Sequence, residues 1–358
     1  MHLNQLEIKS NLRNYHVFFE DRSSFFKQLS SLEPAVFVID ENVWNLYKDG
    51  PLSVLPADRV LPFCAKEEFK NLESCCRLYE QIMQFKPRKN LNLVSVGGGI
   101  VQDVTGFVCS TLYRGIKWTF VPTTLLAQVD SCIGAKTSLN FKHYKNLIGS
   151  FYPPQSVFIW SGFLKTLREV DYYSGVGEMA KLHLMNGEAS TRDFLSALQA
   201  VSAREEDTVL SFIRRCLEIK KSYIENDEFD TGLRNMLNYG HCFGHALESA
   251  TNFAIPHGQA VVLGMLLANC YAAQEGVLSR DCEAFLRHEI LLPILKVPHE
   301  NMTFRVADVI SSMGQDKKNT GHGLALVMLQ DGYKTVKITD LSPARAEALL
   351  EDFPELLK

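Results

Sequence analysis

The sequence lacks the cysteine patterns and the basic excess that mark several classes of protein. Its nine cysteines form no CxxC pair and follow no regular spacing, which argues against a disulfide framework or a zinc knuckle and favours free thiols in a reducing cytoplasm. The net charge of −4 at pH 7 argues against the broad basic face of a nucleic-acid-binding protein. We therefore expect a cytoplasmic location and no nucleic-acid partner.

Long apolar segments and two common catalytic signatures are missing as well. Residues 1–20 lack the apolar core of a signal peptide, and the longest apolar run, residues 260–273, is too short to cross a bilayer. That run predicts a buried helix and no membrane partner. The glycines within residues 94–106 do not form GxGxxG, and Cys242 directly after His241 excludes HExxH.

The periodicity of apolar residues divides the chain into two halves. A length of 358 residues is sufficient for two domains. Residues 1–161 alternate strand-like and helical patterns, which predicts an α/β domain with a parallel sheet, whereas residues 162–358 show fading strand signals and predict a mostly helical domain. The predicted strands are 35–40, 91–96 and 117–121, with a helix at 66–85, and the predicted helices of the second half are 191–201, 206–225, 233–251, 258–275, 281–294, 305–313 and 343–352.

Three consecutive glycines, Gly97–Gly99, join the strand at 91–96 to a predicted helix. Glycine lets a ligand approach the backbone, and a helix N-terminus attracts an anion. The layout favours a nucleotide or phosphate site, and a plain tight turn is the alternative.

The stretch 121–149 holds polar side chains in apolar surroundings, and its lysines stand beside glycines in predicted loops. Several lysines that converge on one ligand suit a phosphate ester, whereas a solvated charged loop is the alternative. A carboxylate such as Asp130 is costly in an apolar setting, which favours a functional role for it. The polar residues of this stretch are Thr123, Thr124, Asp130, Lys136, Lys145 and Asn146.

Two further groups of polar residues lie in the second half. Glu178 and Lys181 are three residues apart, so they share a helix face, either as functional groups or as a surface ion pair, whereas His183 points elsewhere. Residues 234, 238, 241 and 245 are spaced at four, three and four, which predicts one polar stripe along a helix over 233–251. The stripe consists of Arg234, Asn238, His241 and His245.

A third histidine, His257, stands at the start of the next predicted helix. Two histidines four residues apart could both bind one metal, could divide into a ligand and an acid/base group, or could be structural. A metal site would need a further ligand from elsewhere, and a catalytic zinc keeps one coordination position open.

These motifs occur in the order and spacing of one known family. The relevant segments are "VGGGIVQDVTGF", "YRG", "VPTTLLAQVDS", "KNLIG", "GLRNMLNYGHCFGHALE", "PHGQAV" and "DKKN". From about Asp40 to Asn319, the chain resembles the 3-dehydroquinate synthase family of the sugar phosphate cyclase superfamily. The resemblance implies a Rossmann-like α/β nucleotide-binding domain that binds NAD, followed by a mostly α-helical domain that binds a divalent metal, zinc or cobalt.

The resemblance also implies a role for each matching position. The metal ligands would be Glu178, His241 and His257. Lys220 and Arg234 would hold a substrate carboxylate, while Asp130, Lys181 and Asn238 would contact ring hydroxyls. The substrate phosphate would be held by Lys136, Asn146, His245 and one of Lys317 or Lys318, and by Arg114 from the neighbouring subunit of a homodimer. The positions that match NAD contacts are Asp40, Asn42, Glu67, Lys70, Gly98, Gly99, Asp103, Thr123, Thr124, Lys145, Phe163, Thr166 and Asp171.

The implied reaction fits these residue types. A phosphorylated sugar acid, 3-deoxy-D-arabino-heptulosonate 7-phosphate, would be oxidised transiently by NAD, lose phosphate, regain the hydride and close to a carbocycle by an intramolecular aldol step. The alternatives are a cyclase that acts on sedoheptulose 7-phosphate, a 2-deoxy-scyllo-inosose synthase, a metal-dependent NAD alcohol or polyol dehydrogenase, and an inactive homologue. The pair of Lys220 and Arg234 favours 3-deoxy-D-arabino-heptulosonate 7-phosphate as the substrate, because sedoheptulose 7-phosphate has no carboxylate for the two cations to bind.

The sequence departs from the common family pattern at several positions. Gln102 and Tyr144 stand where glycine is usual, Ala135 replaces a glycine, and Gln259 stands where glutamate is usual. These changes concern the geometry of the predicted NAD and phosphate loops.

Overall fold

The computed structural model describes residues 4–142, 144–298, 302–314 and 323–357. The chain divides into two compact units. The first comprises Met1–Leu167 and Ile224–Phe229, and the second comprises Arg168–Tyr223 and Asp230–Lys358.

A seven-stranded sheet forms the centre of the first unit, in the order β1-β2-β9-β6-β5-β3-β4. All neighbouring pairs are parallel except β1 with β2 at one edge, which confirms the predicted parallel α/β sheet. The three predicted strands are β3, β5 and β6. The strands of the sheet are β1 (Gln5–Ile8), β2 (Tyr15–Glu20), β3 (Ala35–Asp40), β4 (Val60–Phe63), β5 (Asn92–Gly97), β6 (Lys117–Pro122) and β9 (Ser156–Trp160).

Helices of the first unit follow strands, as parallel topology requires. They are α1 (Phe25–Ser30), α2 (Glu41–Tyr47), α3 (Leu72–Met83) and α4 (Gly99–Thr111). The helix predicted at 66–85 begins later, because the Asn71 side chain caps α3 by accepting a hydrogen bond from the Ser74 backbone N–H. Phe26, Phe37, Val94 and Phe163 are fully buried in one apolar core of this unit.

The lysine-rich stretch of the first unit is a β-hairpin. Strands β7 (Lys136–Phe141) and β8 (Tyr144–Phe151) pair antiparallel, so the prediction that these lysines lie in loops is wrong. Alternating burial explains the error: Thr137 and Leu139 are buried while Lys136 is exposed, and glycines beside the lysines hide this period of two.

Helices dominate the second unit, as predicted. They are α5 (Glu169–Met185), α6 (Glu188–Ser202), α7 (Glu206–Asn226), α8 (His241–Ala250), α9 (His257–Gln274), α10 (Arg280–Phe285), α11 (Leu292–Ile294), α12 (Val306–Gly314), α13 (Pro343–Glu351) and α14 (Phe353–Leu356). The longest apolar run forms α9, whose residues 258–269 are all buried. Among the described residues, no helix is long and apolar enough to span a membrane.

One strand pair in the second unit was not predicted. Strands β10 (Leu324–Gln330) and β11 (Lys334–Leu341) form an antiparallel hairpin. The first of them is a continuous buried apolar run, and periodicity alone does not distinguish such a run from a buried helix.

The helix predicted over 233–251 is broken in the structure. Leu233–Asn238 form a 3-10 turn, and α8 begins only at His241. Gly240 between them has φ +78, and a Cβ atom at this position would lie 2.6 Å from the Val261 carbonyl oxygen. The predicted stripe is therefore two short elements joined by a bend that requires glycine.

Direct backbone contact joins α9 to two other helices. A Cβ atom on Gly258 would lie 1.8 Å from the Ser174 carbonyl oxygen of α5, and the Gly258 N–H donates to Ser174 Oγ at 2.9 Å. Further along α9, a Cβ atom on Gly264 would lie 1.9 Å from the Gly240 carbonyl oxygen. Both contacts involve backbone, so a side chain could be admitted only by moving the helices apart.

We expect Gly264→Ala to destabilise the protein, because the added methyl group would overlap the Gly240 carbonyl. The cost of such overpacking is about 1–3 kcal/mol, which thermal denaturation would detect as a lower Tm. Gly314→Ala is the matched control, because a Cβ atom there meets nothing within 4 Å. An equal Tm for both variants would contradict the close approach of α9 to the bend.

Candidate active site

Three helices of the second unit bring four ionisable side chains together, here called the Glu–His cluster: Glu178 of α5, His241 and His245 of α8, and His257 of α9. Glu178 Oε1 lies 3.4 Å from His241 Nε2 and 3.3 Å from His257 Nε2. The His241 ring centroid lies 5.1 Å from that of His245 and 5.2 Å from that of His257. The residues predicted from separate stretches of sequence thus converge on one point.

The second ring nitrogens of two of these histidines have defined partners. His241 Nδ1 lies 3.2 Å from the Tyr239 carbonyl oxygen, and His257 Nδ1 lies 3.0 Å from Glu248 Oε2. When Nδ1 donates to such an acceptor, the neutral ring presents the lone pair of Nε2, as in most metal-binding histidines. Both Nε2 atoms face Glu178.

The environment of Glu178 fits a bound cation. Its carboxylate has no exposure to solvent, and Lys181 Nζ lies 2.5 Å from its Oε2 atom. Burial raises the pKa of Glu178, but Lys181 and His257 outweigh it and hold that pKa below its usual range. A buried carboxylate beside two imidazole nitrogens is a donor set for zinc or cobalt.

Two carboxylates, those of Glu178 and Glu248, lie beside the His257 ring and increase its affinity for a proton. Burial lowers the pKa of His257, but Glu248 and Glu178 outweigh it and raise that pKa to about 10. Two carboxylates therefore demand positive charge at this ring, which a divalent cation can supply in place of the proton.

A second ligand set is geometrically available in the cluster. Single ligand atoms of His241, His245 and His257 all lie within 4.8 Å of one another. The position of His245 one turn along α8 thus permits either a metal ligand or a neighbouring acid/base group.

Several predicted substrate residues are buried in the second unit. Lys181, Lys220 and Arg234 are at most 6% exposed, and burial of such cations is unusual unless they are used or paired. Asn238 donates from Nδ2 to the Asn235 carbonyl oxygen at 2.8 Å. His183 does not join them, as predicted: it stacks on Phe194, and burial lowers its pKa to about 4.

In the first unit, predicted cofactor residues follow the carboxyl ends of three adjacent parallel strands. Asp40 ends β3 and accepts a hydrogen bond from the Asn42 N–H, Gly98 follows β5, and Thr124 follows β6. A Cβ atom on Gly98 would lie 3.0 Å from Thr124 Cγ2, and Gly98 caps the N-terminus of α4. This glycine turn at a helix N-terminus is a cradle for a pyrophosphate, which fits NAD.

A charged network lies beside this turn. Lys70 Nζ lies 2.5 Å from Asp103 Oδ2 and donates to Asn146 Oδ1 at 2.7 Å. Asp103 also accepts hydrogen bonds from the backbone N–H and the hydroxyl of Ser138. Burial raises the pKa of Asp103, and Lys70 and Ser138 oppose that shift. The network joins two predicted NAD residues to Asn146, a predicted phosphate residue.

The other predicted residues occupy varied places. Phe163 is buried in the core, so only its backbone can contact a ligand, and Thr166 Oγ1 lies 2.8 Å from the Tyr47 hydroxyl. Lys145 Nζ lies 3.7 Å from Glu67 Oε1, and Arg168 binds Asp171 through Nε and Nη2.

Asp130 lies in a π-helical turn, Thr123 is buried, and Arg114 is exposed with φ +61. Lys317 and Lys318 lie outside the described residues.

Glu248 was missed at the level of sequence. It lies three residues after His245 on α8 and is 4% exposed, so an acidic residue on the histidine face was the available signal. Glu248 is not itself a predicted metal ligand: it contacts the Nδ1 atom of the His257 ring, and ligand spacing alone does not reveal such a residue.

The fold is similar to those of several solved cyclases. A 2-deoxy-scyllo-inosose synthase, solved with carbaglucose-6-phosphate, NAD+ and Co2+, superposes with a TM-score of 0.85 at 22% identity, covering 98% of this chain and 99% of that chain. A 2-epi-5-epi-valiolone synthase from Streptomyces hygroscopicus, solved with NAD+ and Zn2+, gives 0.84 at 24% identity over 95% and 97%. A probable glycerol dehydrogenase from Sinorhizobium meliloti gives 0.61 at 16% identity over 95% and 96%.

Sequence relatives identify the family more closely. The 3-dehydroquinate synthase of Clostridium tetani is 36% identical over 91% of this chain and 86% of its own length. That of Campylobacter hominis is 32% identical over 97% and 98%. The family model for the 3-dehydroquinate synthase N-terminal domain matches residues 60–174, and the model for the C-terminal domain matches residues 175–319. The chain therefore belongs to the 3-dehydroquinate synthase family.

Proposed function

We propose that the chain converts 3-deoxy-D-arabino-heptulosonate 7-phosphate to 3-dehydroquinate and phosphate, with Glu178, His241 and His257 as its metal ligands. The observation that carries this proposal is the fully buried Glu178 carboxylate, whose Oε1 lies within 3.4 Å of the Nε2 atoms of His241 and His257. Two histidines and one glutamate with an open position form a common catalytic zinc site.

The bound metal would polarise the substrate oxygens during oxidation and reduction. The protein prepares the site with residues outside the ligand set. Tyr239 and Glu248 hold the His241 and His257 rings through Nδ1, and Lys181 lies beside the Oε2 atom of Glu178. His245, whose ring stands 5.5 Å from that of His257, is then left for the substrate phosphate and for proton transfer.

NAD would accept one hydride from the substrate and return it, so it would not be consumed. The first unit supplies its site at the carboxyl ends of β3, β5 and β6, where Gly98 and Gly99 admit the pyrophosphate and Asp40 is placed for a ribose hydroxyl. The remaining NAD contacts stay as the resemblance assigns them.

The substrate itself would be held by charge and hydrogen bonds. Lys220 and Arg234 would bind the carboxylate, and Asp130, Lys181 and Asn238 would bind ring hydroxyls. Buried cations suit this task, because a carboxylate removed from water is bound more strongly than an exposed one. The phosphate would be bound by Lys136, Asn146, His245 and one of Lys317 or Lys318.

We also propose that the protein is a homodimer in the cytoplasm. An exposed Arg114 with a left-handed backbone fits contact with the substrate phosphate of a second subunit, as in the implied homodimer. The nine cysteines form no disulfide, which fits a reducing cytoplasm.

We expect the purified, metal-loaded protein to release many equivalents of phosphate from the heptulosonate phosphate for each NAD supplied. The hydride returns within each cycle, so absorbance from NADH should not accumulate. The control is the same protein treated with a chelator. Net NADH formation with a simple polyol would instead support a dehydrogenase, and the absence of both products would support an inactive homologue.

We expect His257→Ala to lose bound metal on dialysis and His245→Ala to retain it while losing turnover, because His257 Nε2 lies 3.3 Å from Glu178 Oε1 and His257 is a proposed ligand, whereas His245 is proposed to bind the phosphate. Metal content by elemental analysis and phosphate release measure the two effects. His288→Ala, at an exposed histidine, is the control for loss of an imidazole. Equal metal loss from the first two variants would support the three-histidine set instead.

We expect Glu248→Ala to weaken metal binding by about 10–100-fold, because the His257 ring would lose the acceptor that orients it. A competition titration with a chromophoric chelator measures the affinity without reference to activity. Glu283→Gln is the matched control, a buried glutamate paired with Arg287 in the same unit. Unchanged metal affinity in Glu248→Ala would remove Glu248 from the site.

A further inference from the structure

Asp130 lies in an unusual backbone segment of the first unit. Residues Ala127–Ser131 form a π-helical turn, closed by a hydrogen bond from the Cys132 N–H to the Ala127 carbonyl oxygen at 3.0 Å. A π turn is less favourable than an α turn and occurs frequently at functional sites. Such a turn needs contacts from outside the segment to keep its geometry.

Two side-chain amides supply those contacts. Gln128 donates from Nε2 to the carbonyl oxygens of Pro122 and Trp160, each at 3.0 Å. Gln102 donates from Nε2 to the Ser131 carbonyl oxygen at 2.6 Å and accepts a hydrogen bond from the Ser131 hydroxyl at 2.7 Å. The peptide that carries Asp130 is therefore held from both sides.

Gln102 connects this turn to the glycine turn. It lies in α4 three residues after Gly99 and is 5% exposed. A Cβ atom on Gly99 would lie 3.9 Å from Ser131 Oγ, so the hydroxyl that Gln102 holds also stands over the glycine turn. Its chain neighbour Asp103 is fixed by Lys70 and Ser138, so Gln102 projects from a rigid part of the helix.

We propose that Gln102 is a positioning residue that holds the Asp130 turn against the glycine turn and so sets the rate of the reaction. This inference rests on the proposed roles of Asp130 toward the substrate and of Gly98 and Gly99 toward NAD. Gln102 contacts neither ligand itself: it acts through Ser131.

The expected effect falls on turnover rather than on cofactor affinity. The hydrogen bonds of the Gln102 side chain go to Ser131, so we expect the glycine turn to keep its backbone and NAD to bind as before. The Asp130 carboxylate would shift, and a displacement of about 1 Å in a positioned group can reduce a rate about 100-fold.

The test uses Gln102→Met, which keeps the volume of the side chain and removes both hydrogen bonds, together with Ser131→Ala and the double variant. Three quantities are measured: kcat from phosphate release, the Kd for NAD by calorimetry, and amide hydrogen exchange by mass spectrometry. Asn92→Ala, on β5 of the first unit, is the control for the loss of a side-chain amide outside the clamp.

In Gln102→Met we expect kcat to fall at least about tenfold, the Kd for NAD to change less than about twofold, and exchange to rise in the peptide containing residues 127–134 but not in β3. Ser131→Ala should reproduce part of the loss and add little in the double variant. Unchanged exchange in that peptide, or unchanged kcat, would refute the clamp. Increased exchange in a protein whose unaltered form shows no phosphate release would refute the proposed reaction and leave the structural part of the clamp standing.

Discussion

The candidate metal site depends on the direct contact of α9 with the backbones of α5 and α8. Gly258 and Gly264 let α9 approach the other two elements without any side chain between them. Because ligand distances at a metal are fixed within a few tenths of an ångström, three helices can share one ion only if their separation is equally well defined. Burial of the apolar side chains of α9 stabilises this packing, and the two glycines allow the short distances between the helix backbones.

The Glu–His cluster is costly for the fold without compensation. A carboxylate fully removed from water opposes folding unless cations face it, and here Lys181, His241 and His257 surround Glu178. Glu248 adds a second negative charge behind His257. Apolar residues of similar volume would stabilise the fold at least as well, so these buried charges indicate a functional site.

Much of the architecture and of the candidate site could be predicted from the sequence. The apolar runs that became β3, β5 and β6 and the long helices α6, α7 and α9 carry strong local patterns. The spacing of the histidines and of Glu178 and Lys181 drew attention to the cluster residues, and the family resemblance implied which of them bind a metal. The break before His241 was not predicted, because Gly240 is set by the approach of Val261, a contact distant in sequence. The β7–β8 hairpin and β10 were missed because strand pairing and burial decide them, whereas Glu248 was missed although its place on the histidine face of α8 is visible in the sequence.

The bend at Gly240 separates two tasks that one straight helix would have joined. Arg234 and Asn238 lie on the short turn before it, and His241 begins the rigid helix after it. In a single straight helix, any adjustment of Arg234 and Asn238 would rotate His241 and His245 as well. With the bend, a substitution in the Leu233–Asn238 turn can move Arg234 and Asn238 without rotating α8 and its histidines.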